Sequence, residues 1–117
     1  MRSLKIIVIM LCLSLAQTLA GQDCDTVLTL LFTGDIMGHD GQLASARNDS
    51  DGTYDYQSVF THIAPFISAV DVATGNFEVT LGGPPYRGYP AFSSPDELAV
   101  ACLNAGFDIL GTANNHS

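Results

Sequence analysis

Three short stretches carry side chains able to bind a cation or handle a phosphoryl group: Gly34-Asp35-Ile36-Met37-Gly38-His39, Gly75-Asn76-Phe77-Glu78 and Asn114-Asn115-His116. Together they supply carboxylates, amide oxygens and imidazoles, donors that suit Mg²⁺, Mn²⁺, Fe or Zn²⁺. Two such ions a few ångströms apart polarise a phosphoryl group and lower the pKa of an attacking water. Taken singly, each stretch is weak. Gly-Asp is an ordinary turn, Asn76 and Glu78 can open the loop that follows them, and Asn114 and Asn115 are good turn residues beside a solvated His116. Their joint occurrence carries the reading, because each follows a run that reads as a strand. Arg87 stands in a Gly/Pro/Tyr loop. It reads equally as a contact for an anionic substrate, walled by Tyr86 and Tyr89, or as a solvated loop arginine.

The elements that must position these groups are legible in part. Val27 to Phe32 is a nearly unbroken apolar run ended by Gly34-Asp35, the pattern of a buried parallel strand. Residues 40–55 are rich in Gly, Asp, Ser and Asn and read as a turn-rich segment. Asp49-Ser50-Asp51-Gly52 lacks the spaced ligands and closing Glu of a calcium loop, so it reads as a turn. Tyr56, Val59, Phe60, Ile63, Ile67 and Val70 recur at helical spacing, and Pro65 predicts a kink or two short helices. Asp71 to Gly75 reads as a short strand, and residues 82–90 as a loop. Ser94 reads as a helix N-cap, with Pro95 at the first helical position and Glu97 as its capping-box partner. Leu98, Ala101, Cys102 and Ala105 then share one face, Gly106 stops the helix, and Phe107 to Ala113 is a further strand. Strands alternating with helices predict an α/β domain with right-handed crossovers and a largely parallel sheet. Ligand sites in such sheets gather beyond the carboxyl ends of the strands, where all three polar stretches fall.

The N-terminus reads as an export signal. Arg2 and Lys5 precede the apolar run Ile6 to Leu15, and Thr18-Leu19-Ala20 offers a cleavage site before Gly21. Residues 1–20 are therefore expected to be removed, leaving 21–117 as the domain. The apolar run falls short of the ~20 residues of a spanning helix, so membrane contact is expected only through this segment if it stays uncleaved. Two of the four basic residues leave with it while all twelve acidic residues stay. Such a chain repels nucleic-acid phosphates, which excludes DNA and RNA as partners. Cys24 and Cys102 outlast the signal, so an oxidising compartment permits one disulfide. Cys102 lies on an apolar helix face, where packing is the expected role.

The stretches Phe32-Thr33-Gly34-Asp35-Ile36-Met37, Gly75-Asn76-Phe77-Glu78 and Ala105-Gly106-Phe107-Asp108-Ile109-Leu110, the last running into Ala113-Asn114-Asn115-His116, resemble the CapA family. These are bacterial capsule-synthesis proteins linked to poly-γ-glutamate, with a domain similar to calcineurin-like metallophosphatases. The resemblance spans about Leu28 to Ser117, and is most specific from Ala91-Phe92-Ser93-Ser94-Pro95 through Asn115-His116. It implies a metallophosphatase-like layered α/β sandwich, of which this chain carries the N-terminal part, and divalent metal ions (Mn, Fe, Zn or Mg). Asp35 corresponds to the first metal ligand, and Glu78 or Asn76 to the region of the bridging carboxylate. Asn115 corresponds to a further metal ligand, and His116 to the catalytic residue that stabilises the transferring phosphoryl group. Met37 departs from the pattern, because related enzymes place a histidine there and a thioether is a poor ligand for a hard metal. His39 is the candidate substitute, and with Arg87 the candidate substrate contact. The family's later His motifs fall beyond Ser117. The implied function is an exported capsule- or polyglutamate-associated protein that, at full length, hydrolyses a phosphoester or an anionic envelope polymer with metal. The alternative is a non-catalytic component that binds polymer during capsule assembly. This chain by itself is expected to be inactive and poorly stable, with apolar edges and faces exposed.

Overall fold

The computed structural model describes residues 26–116. The expected signal segment, Cys24 and Ser117 lie outside them. The elements run β1 (Leu30–Ile36), α1 (Asp40–Ala46), α2 (Gln57–Phe60), α3 (Ala64–Ile67), β2 (Val72–Phe77), α4 (Glu97–Ala105) and β3 (Ile109–Gly111). The strands form one three-stranded sheet in the order β1-β2-β3, and both pairings are parallel. The expected α/β class is thus observed, as a small parallel sheet with few helices. No described helix is long and apolar enough to cross a membrane.

The first strand departs from expectation. It starts at Leu30 rather than Val27 and runs through Gly34-Asp35 instead of stopping there. The ladder pairs Phe32 with Thr74 and resumes only at Asp35 with Asn76, so β1 spends one extra residue in a bulge. That irregularity absorbs the Gly-Asp pair which the sequence suggests as a terminator. Residues 40–46, expected as loop, form α1, because Leu43 and Ala46 sit one turn apart and bury together. The Gln42 side chain supports its start by accepting the His39 backbone N–H at 2.8 Å. The remainder of that segment is the turn it reads as. Asn48 Oδ1 accepts from Ser50 N–H, Asp51 Oδ1 accepts from Thr53 N–H, and Gly52 sits at φ 75°.

Pro65 divides the next apolar pattern into α2 and α3, as its missing N–H requires, and it occupies the first turn of α3. The start of α4 also differs from its reading. Ser94 N–H donates to Thr80 O at 2.9 Å, which ties Ser94 into the preceding loop. The helix begins at Glu97, and the buried Ser94 hydroxyl makes no hydrogen bond. Gly106 ends the helix at φ 102°, with Phe107 N–H reaching back to Cys102 O, as expected of a glycine stop.

Strand alternation decides where the core sits. Ala73, Gly75 and Phe77 of β2 face the helices, where Phe60, Ile67, Leu98, Ala101 and Phe107 close over them. Leu31 and Ile36 of β1 and Leu110 of β3 pack against the same cluster. Gly75 is held to its small size, because a Cβ there would lie 2.8 Å from Thr33 Oγ1 and 2.9 Å from Ile36 Cδ1. Cys102 is fully buried in this layer, and burial pushes its thiol up to about 11. Its packing role is as expected. The opposite face is open to solvent. Phe32 is 73% exposed there, with Leu30 and Ile109 also exposed, so β1 is buried on one side only.

Candidate site at the carboxyl ends of the strands

The bulge in β1 aims the first site residue. Without the extra residue Gly34 would face Asn76; with it Asp35 does, on the open side of the sheet. Asn76 is the last outward residue of β2, and its Nδ2 donates both to Asp35 Oδ1 and to Glu78 Oε2, each at 2.8 Å. Glu78 follows the strand and stays in reach because its N–H donates to Ile36 O at 3.0 Å. From beyond β3, Asn114 Nδ2 donates to Asn76 Oδ1 at 3.1 Å and to Phe77 O at 3.0 Å. Asn114 Oδ1 in turn accepts the His116 backbone N–H, and His116 Nε2 stands 3.9 Å from Glu78 Oε1. The side chains of Glu78 and His116 are mostly buried, at 13% and 23% exposure. Three strand ends therefore converge, as their positions predict.

The electrostatics of this cluster are specific. The neutral amino group of one amide lies between two carboxylates, so it bridges them by hydrogen bonds without offsetting their charge. Oxygen donors with one imidazole match the chemistry of a divalent cation. The match is incomplete: among the described residues no three His, Cys, Asp or Glu side chains are grouped so as to hold a metal ion. Any such ion would need the amide oxygens too, and Asn76 now turns its amino group to the carboxylates.

Residues 29–117 match the family described as "Bacterial capsule synthesis protein PGA_cap". The chain belongs to this family. A curated relative, the capsule biosynthesis protein CapA of Bacillus anthracis, is 30% identical over 95 residues, covering 76% of this chain and 22% of the relative. No solved structure matches.

Within this member of the family, the residues singled out by sequence fare differently. Asp35, Asn76, Glu78 and His116 come together. Asn115 is exposed, and its neighbour Asn114 holds the place in the network. Met37 is partly buried and packs against the core, which accounts for an apolar side chain at that position. His39 precedes α1 and meets the ring of Phe92 edge-on at 5.0 Å, while His116 meets the same ring at 4.7 Å. Arg87 is exposed. Its backbone is fixed by donating to Ser93 O at 2.9 Å, and the next residue, Gly88, donates to Asp40 Oδ1 at 2.7 Å. Of its expected walls, Tyr86 packs on Tyr54 and Tyr89 on Phe92.

Two residues escaped the sequence reading. Asn114 was legible only as a turn former, since nothing in an Asn-Asn pair says which amide turns inward. Phe92 lies in the stretch most specific to the resemblance, but a phenylalanine advertises packing rather than chemistry. A cavity of about 250 Å³ is lined by Thr33, Asp35, Met37, Tyr56, Val59 and Phe60 among others. Burial pushes the Tyr56 hydroxyl up to about 12, and that hydroxyl makes no hydrogen bond. Glu78, Asn114 and His116 do not line this cavity.

Proposed function

We propose that this chain carries part of a cation-assisted site of an exported capsule-synthesis protein, which at full length acts as a phosphoesterase-type hydrolase on a phosphoester or anionic envelope polymer. The observation that carries the reading is the convergence of Asp35, Asn76, Glu78, Asn114 and His116 from three strand ends into one hydrogen-bonded cluster. The capsule role follows the family description and the printed name of the Bacillus anthracis relative. A calcineurin-like layering, with further structure over the open face, belongs to the same proposal.

Asp35 and Glu78 would hold a divalent ion (Mn, Fe, Zn or Mg) with amide oxygens from Asn76 and from Asn114 or Asn115. Such an ion supplies Lewis acidity and an activated water. His116, mostly buried beside Glu78, presents an N–H donor to a phosphoryl oxygen and stabilises charge as it develops. Arg87, on its anchored loop, adds a positive contact for a polyanion.

Mn²⁺ binding, followed by paramagnetic resonance, tests the metal reading. Asp35→Asn and Glu78→Gln should each weaken binding by at least roughly tenfold, as loss of a ligand does. Comparing Asn114→Ala with Asn115→Ala identifies which amide matters. In the whole protein His116→Ala should keep its metal yet slow hydrolysis on the order of a hundredfold. Undiminished Mn²⁺ binding by Asp35→Asn would sink the metal reading. The second reading, a non-catalytic component that binds polymer, draws on Met37, a core-packed thioether where the resemblance implies a histidine. Polymer binding by the whole protein without hydrolysis in any divalent metal would establish it.

A further inference from the structure

Phe92 is where three separate segments meet: the loop after β2, the start of α1 and the chain beyond β3. Its ring makes edge contacts with His39, His116 and Tyr89, at centroid separations of 5.0, 4.7 and 5.9 Å. The residue is 1% exposed and sits at φ 44°, a left-handed backbone that side-chain-bearing residues seldom adopt. Such a conformation persists where the surroundings over-determine it. Here Phe92 N–H donates to Gly88 O, Phe92 O accepts from Thr80 N–H, and Gly88 N–H is held by Asp40, the residue after His39. Gly88 admits no side chain, because a Cβ would lie 2.5 Å from Asp40 N. The same arrangement holds one ring against imidazoles from two distant segments.

We infer that Phe92 is a positioning residue that sets His39 and His116 against one ring, so that both imidazoles serve a single anionic group of the ligand. His39 thereby joins the site, and the class of group recognised is a phosphoryl or carboxylate oxyanion, which accepts from both ring N–H donors. The inference rests on the reading of His116 as a site residue but needs no metal.

Imidazole proton spectra of the full chain in metal-free buffer test it, with inorganic phosphate as the probe anion. His62, exposed and outside the ring contacts of Phe92, is the internal reference. His39 and His116 should both be ring-shifted relative to His62, and phosphate should move both with one midpoint. Phe92→Leu should abolish both ring shifts and raise the phosphate midpoint on the order of tenfold, as loss of an orienting partner does at metal-ligating histidines. Phe107→Leu removes an equal ring from the core against Phe60 and should leave both histidines unmoved. Ring shifts that survive Phe92→Leu, or that Phe107→Leu disturbs equally, overturn the inference. So do separate phosphate midpoints for the two imidazoles. If Phe92→Leu does not fold, Overhauser contacts from the Phe92 ring to both imidazoles in the unaltered chain support it, and contacts to one or neither overturn it. Because no metal is present, failure of Mn²⁺ to bind defeats the metal reading and leaves this one standing.

Discussion

On one face of the sheet Leu31, Ala73, Phe77 and Leu110 disappear under α2, α3 and α4; on the other, Leu30, Phe32 and Ile109 meet solvent. The same strands build both faces by the same two-residue alternation. Parallel strands carry apolar residues on both sides, because helices or a second layer ordinarily cover each. The open face is therefore apolar by design of the strands and unfinished among the described residues. The polar cluster lies on that face, at its carboxyl end, where Asn76 continues the outward alternation and the bulge delivers Asp35 to it. A site so placed sits between a rigid, covered layer and a surface that still exposes apolar area.

The sharpest way to break this comparison is a matched pair on adjacent residues of β2. Gly75→Val pushes atoms into Thr33 and Ile36 on the covered face and should cost about 1–3 kcal/mol, seen as a lower denaturant midpoint. Thr74→Val, one residue earlier and facing outward, should stay within about 0.5 kcal/mol. The reverse order would mean that the two faces are assigned wrongly.

A smaller effect is expected from Phe32→Lys on the open face. Stability should again change by about 0.5 kcal/mol or less, while self-association measured by sedimentation should fall. A loss of stability comparable to that of Gly75→Val would reveal that something covers this face in solution.

The smallest effect concerns the end of the sheet away from the site, where Asp71 joins the start of β2 to the residue before β1. The Thr29 hydroxyl, then the Thr29 backbone N–H, hold the Asp71 carboxyl below the usual carboxylate range. A depressed carboxyl contributes stability above its unfolded pKa and loses it as the pH falls through its folded value. Thr29→Val should raise the Asp71 titration midpoint and slightly flatten the acid limb of stability against pH. An unmoved Asp71 midpoint in that variant would refute the hydroxyl's part.

The fold was read from the sequence where the signal was local. Pro65 divided a helical pattern because it lacks an N–H, and Gly106 ended α4 because it tolerates φ 102°. The readings went astray where a distant partner outbid a local preference. Ser94 has every mark of a cap, yet Thr80 takes its backbone N–H and the helix starts later. Gly34-Asp35 has every mark of a stop, yet β2 keeps pairing across it.

The types of side chain in the site, and their place toward the carboxyl ends of strands, were thus determined by sequence alone, since donor chemistry and apolar runs are properties of residues in order. Tertiary structure decided which of them meet. The bulge turned Asp35 to Asn76, Asn114 rather than Asn115 entered the network, and Phe92 gathered His39 and His116 although dozens of residues separate them along the chain. The physical reason is that a side chain's direction depends on register, and register is set by the pairing of segments far apart in sequence.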